Sequence, residues 1–457
     1  MSEEQEQLLH EIEPLLEAKS AATLRELLFD WRTSDIAEVV ELVDNDQRRL
    51  ILDVLETDIA AEVIEKVNEA TRECLFDLLS DDEIQKVFSE LDHDDAADLL
   101  AEMPDEAADK ALKGLPLRDR LQIHKLMRYS ADSAGGIMDP LVISVQEDAS
   151  IAQAISKIRQ AEIEEDFYSV YVINDDGRFV GDVRLRLLLT RPENTRIGDL
   201  VDEDTVYVRT DMDQEEVRNI FSKNDLIVAP VLDENHRLAG RITADRVIEV
   251  AEEEAAEDLY TMAGTDPDEL DTFSAFRAAR IRMTWILPCL FGTGITALVQ
   301  MRFRSHDLLV YAAASVFAPM VAAISGNTGL QTSAIVVSGL ATGHLAALRF
   351  GQVFSREVRI ALLVALSSAA LSALVCIGFN AVNPGDNAVM SIGRLALALG
   401  IAMFAAIMVA TTLGLLLPFL FRKIGIDPAI SSGPLVTTAN DSISVAIYMT
   451  LAVLLAS

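Results

Sequence analysis

One carboxylate lies deep inside an apolar stretch near the end of this chain of 457 residues. Asp441 sits in the run GPLVTTANDSISVAIYM, with Thr437, Thr438 and Asn440 close by, and the run holds no Lys or Arg that could pair with it. A charged side chain at the centre of a bilayer costs about 2.5–3.5 kcal/mol on insertion scales, so helix packing alone does not explain it. The pattern favours a cation site at Asp441, with a proton relay as the alternative.

A second unusual group lies in an earlier apolar stretch, PMVAAISGNTGLQT at 319–332. Its polar or helix-weakening members are Gly326, Asn327, Thr328, Gly329, Gln331 and Thr332. Polar or irregular segments at membrane depth are tolerated where they are buried in protein or line a water-filled cavity. Small residues and hydroxyls also pack membrane helices together. The presence of both an Asn and a Gln favours a lined cavity.

The kind of ion follows from the number of oxygen ligands. Mg²⁺ requires octahedral oxygen geometry and dehydrates reluctantly, so it usually keeps several waters. A single carboxylate such as Asp441, assisted by backbone or amide oxygens, therefore suits a largely hydrated divalent ion rather than a bare one.

The net charge of −35 is divided unevenly between two halves of the chain. Residues 273–457 hold 11 Lys or Arg and five Asp or Glu, which gives +6, so residues 1–272 carry −41. This division excludes a single soluble domain. It also excludes a nucleic-acid partner, because the acidic half repels phosphate. Three scattered cysteines imply neither a disulfide framework nor a zinc site.

The apolar half is long enough for five membrane spans, since each span needs about 20 apolar residues. The predicted spans are 284–301, 308–340, 358–380, 391–420 and 432–455. The chain starts MSEEQEQ, without a signal peptide, so the N-terminus is expected in the cytoplasm and the C-terminus outside. Most cations that flank the spans then fall on the cytoplasmic side, as the positive-inside rule requires. They are Arg277, Arg280, Arg282, Arg349, Arg356, Arg359, Arg422 and Lys423, with Arg302 and Arg304 as exceptions.

Residues 1–128 are predicted to form a helical N-domain. Phrases such as SDIAEVVELVD and TDIAAEVIEKV recur, each beginning with a polar capping residue and continuing with apolar residues three and four apart. Ser80 and Glu83 fit a capping box. The pattern indicates a stacked-helix superhelix with irregular repeats of about 11–24 residues.

Residues 129–248 contain a tandem repeat of about 60 residues. In each copy an amphipathic helix precedes two strands, and Val172 and Gly181 of the first copy align with Val231 and Gly240 of the second. This order resembles a pair of cystathionine-β-synthase (CBS) domains. In that family a Ser or Thr, followed three residues later by Asp, often holds the ribose of an adenine nucleotide. The second copy has Thr243 but Arg246 at the later position, so the resemblance leaves an adenine-nucleotide cofactor open.

The membrane motifs PxxxxxxGNTGxQ and DPAxxxGPxxTTxxD resemble those of the MgtE magnesium transporters and channels. The order of segments is also similar: N-domain 1–128, CBS pair 129–248, connecting or plug helix 249–272, and five-helix pore domain 273–457. The resemblance implies a homodimer with one pore on its two-fold axis, lined by the second and fifth spans. The implied pore residues are Asp441, Asn327, Thr328, Gly329, Gln331 and Asn440. Asp427 would lie near the cytoplasmic mouth.

The resemblance further implies that cytosolic Mg²⁺ bound to the acidic domains holds the pore shut. The implied regulatory ligands are Glu62, Asp94, Asp98, Gly136, Asp213, Glu215, Asp225, Glu249, Glu254, Glu257 and Asp258. Arg246 stands where relatives often carry an acid, so we expect at least one regulatory site to be altered. Read without the resemblance, the acidic run after Ile248 is a solvated connector.

The expected function is thus Mg²⁺ uptake through a channel-like protein in the bacterial plasma membrane, in contact with lipid. A proton-coupled carrier of Mn²⁺ or Co²⁺ is one alternative, and a membrane-tethered CBS nucleotide sensor is another. An enzyme is not expected, because the sequence has neither a nucleophile–base pair nor a GxxxxGK[ST] phosphate loop.

Overall fold

The architecture is that of a computed structural model, which describes residues 3–161, 167–269, 274–306, 308–342, 345, 350–382, 391–431 and 433–456. These residues form two compact units, an N-terminal unit (Met1–Glu252) and a C-terminal unit (Glu253–Ser457). Arg349, predicted to flank a span, lies outside the described residues.

Ten short helices begin the N-terminal unit. They are α1 (Glu3–Glu17), α2 (Ala21–Phe29), α3 (Thr33–Leu42), α4 (Asn45–Val54), α5 (Thr57–Lys66), α6 (Glu69–Leu78), α7 (Asp81–Glu90), α8 (His93–Glu102), α9 (Asp105–Gly114) and α10 (Leu117–Leu126). Helices α3 to α10 each contain 10 residues and begin 12 residues apart, so the irregular period predicted from the sequence is wrong.

Most of these helices pack against the second helix along the chain, as in a superhelix. The apolar stripes of α1 to α7 meet in one core that includes Ile36, Ile51 and Ile64. The capping box is confirmed: the Ser80 hydroxyl accepts from the Glu83 amide, and the Glu83 carboxylate accepts from the Ser80 amide at 2.8 Å. Side chains also cap the starts of α4, where the Asp44 carboxylate accepts from the Gln47 amide, and of α6, where the Asn68 side chain accepts from the Thr71 amide.

Two small three-stranded sheets follow, one for each sequence copy. Their elements are β1 (Ser144–Gln146), α11 (Ile151–Gln160), β2 (Ser169–Ile173), β3 (Phe179–Arg184), α12 (Leu185–Thr190), β4 (Val208–Arg209), α13 (Gln214–Asn224), β5 (Val228–Leu232) and β6 (Leu238–Thr243). Val172 pairs with Gly181 and Val231 pairs with Gly240, with a register shift after each valine. The internal repeat read from the sequence is thus present in the register of the strands.

A long helix, α14 (Ala244–Ala263), begins directly after β6. It is acidic from Glu249 onward, and its C-terminal part belongs to the C-terminal unit. The start of the predicted connecting helix, 249–272, is therefore the continuation of a helix that begins at Ala244. The boundaries predicted at 128/129, 248/249 and 272/273 remain predictions.

The C-terminal unit contains α15 (Ala275–His306), α16 (Leu308–Ser315), α17 (Ala318–Ala341), α18 (Phe350–Val382), α19 (Ile392–Lys423) and α20 (Pro434–Ala456). Among the described residues, five helices are long and apolar enough to cross a membrane. The predicted second span, 308–340, is wrong as one continuous helix. It breaks at 316–317, because Pro319 has no N–H to continue the helical hydrogen bonding and lies in the first turn of α17.

Candidate functional site

Asp441 faces the second span across a glycine. Its side chain lies in α20, and a Cβ placed on Gly326 of α17 would be only 3.2 Å from its Oδ1 atom. That oxygen is buried and has no hydrogen-bond partner among the described residues, and no Lys or Arg there forms an ion pair with it. A buried, unsatisfied carboxylate oxygen is costly, so this arrangement is expected only where a cation, a proton or water reaches it.

The residue before Asp441 is tied to the same helix. Asn440 is fully buried, and its side-chain amide donates to the Ser325 hydroxyl at 3.0 Å. Ser325 in turn donates to Ser444 at 2.9 Å, and Ser444 donates back to Asn440 at 3.4 Å. The structure therefore places Asn440, a predicted pore residue, inside the contact between α17 and α20.

The residue after Asp441 is tied to the first span. The hydroxyls of Ser442 and Thr296 lie 2.7 Å apart, and Ser442 also donates to the Gly292 carbonyl at 3.2 Å. A side chain on Gly292 would overlap Thr438, so α15 and α20 approach closely at this level. Asp441 thus lies between two polar attachments of its own helix.

The other predicted pore residues divide between two faces of α17. Asn327 and Gln331, one helical turn apart, are exposed in the single chain. Gly329 is buried against α19, where a side chain on Gly414 would overlap its carbonyl oxygen. Thr328 is half-buried and donates to the carbonyl of Ile324 in its own helix. The GNTGxQ motif therefore combines a packing face with an exposed amide face.

A short 3₁₀ turn, Pro428–Ser431, leads into α20, and Asp427 caps it. The exposed Asp427 carboxylate accepts from the Ala429 amide at 2.8 Å. Ser333 of α17 donates to the Ser431 carbonyl at 3.3 Å, so the second span also holds this turn. Asp427 thus lies directly before the fifth span, at the end where the family resemblance implies the cytoplasmic mouth.

The end of α14 packs against the start of α20. Gly264 and Gly433 both have positive φ, +79° and +72°, which glycine adopts without strain. A side chain on Gly264 would overlap Pro434, and one on Gly433 would overlap the Met262 carbonyl oxygen. The two backbones are therefore in direct contact, and only glycine fits on either side. Neither glycine was predicted from the sequence to be a functional residue. The available signal was their place at helix ends, because Gly264 directly follows α14 and Gly433 directly precedes α20.

In the N-terminal unit, Arg246 joins α14 to α8. Its guanidinium lies 2.9 Å from the Asp98 carboxylate and 3.1 Å from the Glu249 carboxylate. Asp98 and Glu249 were both predicted metal ligands, and a side-chain cation now bridges them. Arg246 is the position where this sequence departs from the family pattern. In the structure its positive charge pairs with two carboxylates that the resemblance implied to be metal ligands.

The carboxylates around this bridge are unusually basic. Burial, with repulsion from Asp139, raises the pKa of Asp94 to about 7, while burial with repulsion from Asp94 and Glu65 raises the pKa of Asp95 to about 8. Burial also raises the pKa of Glu65, and Glu249 and Glu62 add to it. An additional cation would relieve this repulsion. Glu62 and Asp94 were predicted ligands, whereas Glu65 and Asp95 were not, because the spacing of Glu65 and Asp95 is that of ordinary solvated helix acids.

The remaining predicted ligands of the N-terminal unit lie around α13. Asp213 caps this helix and accepts from the Glu215 amide at 2.9 Å, while Asp225 ends it in a left-handed conformation. The loop that contains Gly136 pairs with the strand end before Asp213, since the Ala134 amide donates to the Met212 carbonyl at 2.7 Å. Gly136, Asp213 and Glu215 are thus brought to one region.

Among the described residues, no group of three or more His, Cys, Asp or Glu side chains has a geometry that would hold a metal ion by itself. The predicted ligands Glu254, Glu257 and Asp258 follow one another along α14, in the C-terminal unit.

Comparison with known proteins defines the class of protein. Residues 318–451 match the model of a divalent cation transporter, residues 31–132 match the MgtE intracellular N domain, and residues 134–193 and 197–253 match the CBS domain. The fold and the membrane-depth carboxylate thus belong to a multi-pass membrane transporter of divalent cations, with its N-terminal domains in the cytosol.

The chain belongs to the MgtE family. It is 32% identical to the magnesium transporter MgtE of Thermus thermophilus over 457 residues, which cover 99% of each chain. It is 30% identical to the Bacillus subtilis magnesium transporter MgtE over 80% of this chain and 78% of that protein. The crystal structure of the cytosolic domain of the Mg²⁺ channel MgtE in complex with ATP covers 52% of this chain and 98% of its own, at 30% identity and a TM-score of 0.50. This family consists of transporters and channels rather than enzymes.

Proposed function

We propose that this protein is a Mg²⁺-selective channel of the bacterial plasma membrane, closed by cytosolic Mg²⁺, with its C-terminus outside. The carrying observation is the Asp441 carboxylate, whose Oδ1 is buried and unpartnered between the second and fifth spans. The identity of the ion is inferred from the two relatives, which are both named magnesium transporters. A carboxylate with few protein oxygens around it suits an ion that keeps most of its water.

A homodimer accounts for the exposed polar face of the second span. Asn327 and Gln331 are exposed at membrane depth in a single chain, and such amides do not face lipid without cost. The first span, α15, has no buried residue at all. A second copy related by a two-fold axis would cover such faces and bring two Asp441 carboxylates to one pathway, because a symmetric interface uses the same patch twice.

Closure by Mg²⁺ is supported by charge and by contact. Two like charges 4 Å apart repel by about 4 kcal/mol at an effective dielectric of 20. The end of the acidic α14 lies against the backbone of Gly433 and the ring of Pro434, where α20 begins. A bound cation that draws acidic surfaces together would therefore act on α14, and α14 would act directly on the pore helix.

Ion flux into liposomes tests the pore. We expect Asp441→Asn to abolish Mg²⁺ flux through the reconstituted protein, since the substitution removes the charge with little change in shape. Undiminished flux would refute the assignment. The same liposomes separate the carrier alternative: a flux that follows an imposed pH gradient would favour a proton-coupled carrier, whereas insensitivity would favour the channel.

Closure is tested by neutralising the acids of α14 near the membrane. Replacing Glu254, Glu257 and Asp258 together by their amides should leave flux at low Mg²⁺ intact and weaken the inhibition by millimolar internal Mg²⁺. Replacing Asp175 and Asp176, two exposed acids of the turn between β2 and β3, by Asn is the control. Equal closure in both variants would refute the role of α14.

Adenine nucleotide is a second ligand that we propose for the CBS pair, because a related cytosolic domain was crystallised with ATP. Thr243 ends β6 as the resemblance requires, while Arg246 is already engaged by Asp98 and Glu249. Equilibrium dialysis with ATP, comparing the wild type with Thr243→Val, tests this. Tight ATP binding without any ion flux would instead favour the sensor alternative.

A further inference from the structure

Three buried polar side chains form a closed ring of hydrogen bonds between two spans. Asn440 donates to Ser325 at 3.0 Å, and Ser444 donates to Asn440 at 3.4 Å. The single Ser325 hydroxyl hydrogen is shared between Ser444 at 2.9 Å and two carbonyls of its own helix, the nearer being that of Val321 at 2.7 Å. All three side chains are fully buried. We call Asn440, Ser325 and Ser444 the polar ring.

The polar ring determines which way the next residue points. Successive residues of a helix are rotated by about 100°, so fixing Asn440 toward α17 also fixes the direction of Asp441. The two pairs are in step: Ser325 meets Asn440, and the following residues, Gly326 and Asp441, meet each other. A rotation of α20 that broke the ring would move the carboxylate away from Gly326.

The first span restrains the same point from the other side. Ser442 is joined to Thr296 and to the Gly292 carbonyl of α15. Three consecutive residues thus have three separate directions: Asn440 toward the second span, Ser442 toward the first, and Asp441 between them with its Oδ1 unpartnered.

Helix association alone does not require this arrangement. Small residues and hydroxyls already give close packing between α17 and α19, where Gly329 meets Gly414. A buried amide adds a directional bond that small residues lack, and a single buried Asn is known to set the register of packed helices. The ring lies where register matters most, beside the carboxylate.

We infer that Asn440 is a positioning residue, which holds the fifth span in the rotation that presents Asp441 to the ion without itself contacting the ion. The inference rests on the proposed role of Asp441 in binding the ion. It predicts that loss of the ring weakens ion binding at Asp441 and leaves the carboxylate chemically intact.

The test measures how Mg²⁺ flux into liposomes depends on Mg²⁺ concentration. For Asn440→Ala we expect the half-saturating Mg²⁺ concentration to rise about tenfold, and for Ser325→Ala about threefold, in line with the strength of hydrogen bonds between membrane helices. The double variant Ser325→Asn/Asn440→Ser exchanges the two partners and rebuilds the pair, so it should recover most of the affinity.

Ser372→Ala is the matched control, because Ser372 is buried in α18 and, among the described residues, donates only to the Ala369 carbonyl of its own helix. It should leave the half-saturating concentration unchanged. If Asn440→Ala does not assemble, Ser325→Ala and the exchange variant still decide the question, since they alter less of the core.

Failure of the proposed ion site and failure of the positioning role give different results. If Asp441→Asn conducts Mg²⁺ like the wild type, the proposed ion site fails, whatever Asn440 does. If Asp441→Asn abolishes flux but the Asn440 and Ser325 variants match Ser372→Ala, or the exchange variant is no better than Asn440→Ala, the positioning role is overturned. A drop in maximal flux with unchanged half-saturation would also overturn it.

Discussion

Adding one methyl group at Gly326 should disturb the ion site without disturbing the fold. In Gly326→Ala the new Cβ would lie 3.2 Å from Asp441 Oδ1 and 3.2 Å from Thr437 Cγ2. Favourable carbon contacts are about 3.5–4.0 Å, so both neighbours must retreat by a few tenths of an ångström. The carboxylate is the softer of the two, because it is held by no hydrogen bond at this oxygen.

The magnitude follows from what the carboxylate must do. Turning a side chain about 30° from its preferred rotamer costs about 0.5–1.5 kcal/mol, and 1.4 kcal/mol corresponds to a factor of ten in affinity. We therefore expect the half-saturating Mg²⁺ concentration to rise about two- to tenfold. The fold should not suffer, since alanine favours a helix over glycine by about 1 kcal/mol.

The assay is Mg²⁺ flux into liposomes, with Gly378→Ala as the control, because a Cβ at Gly378 meets no atom within 4 Å. Thermal denaturation in detergent should show both variants at least as stable as the wild type. If Gly326→Ala and Gly378→Ala give the same half-saturation, the contact between Gly326 and Asp441 does not shape the ion site, and the reasoning is refuted.

Three further results are expected. Gly433→Ala should weaken closure by internal Mg²⁺, because its Cβ would overlap the Met262 carbonyl oxygen. The control Gly425→Ala, with a similar φ of +73° and no close neighbour, should close normally. Equal closure in the two variants would count against a role for this contact. Arg246→Ala should lower the Mg²⁺ concentration that closes the channel about two- to fivefold, which corresponds to the free energy of a partly exposed ion pair. Arg246→Lys should leave that concentration unchanged. A higher closing concentration in Arg246→Ala would contradict this expectation. The raised pKa values of Asp94 and Asp95 give the folded N-terminal unit a contribution to stability that is fully present below about pH 4 and is lost as pH rises through about 7–8. Stabilisation by Mg²⁺ should therefore grow over that window in thermal denaturation at pH 5.5 and 8, and a constant increment would argue against ion binding there.

The order of the segments could be predicted from the sequence because each segment has its own hydrophobic periodicity. Apolar stretches of about 20 residues predict spans, alternating strands separated by turns predict the repeated copies, and three- and four-residue spacing predicts the helices of the N-domain. It also singled out Asp441, since the cost of a membrane-depth carboxylate depends only on its position in an apolar run. The sequence alignment of Val172 and Gly181 with Val231 and Gly240 is also present in the structure, where Val172 pairs with Gly181 and Val231 pairs with Gly240.

The tertiary structure alone decided which polar residues face which neighbour. Asn440 and Asp441 are adjacent in the chain, yet one is fully buried against Ser325 and the other has an unpartnered oxygen beside Gly326. Gly433 matters only because Met262 comes to meet it from 171 residues away in the chain. Composition and spacing determine which elements form, but the direction of a side chain depends on packing between distant segments, and no local pattern encodes it.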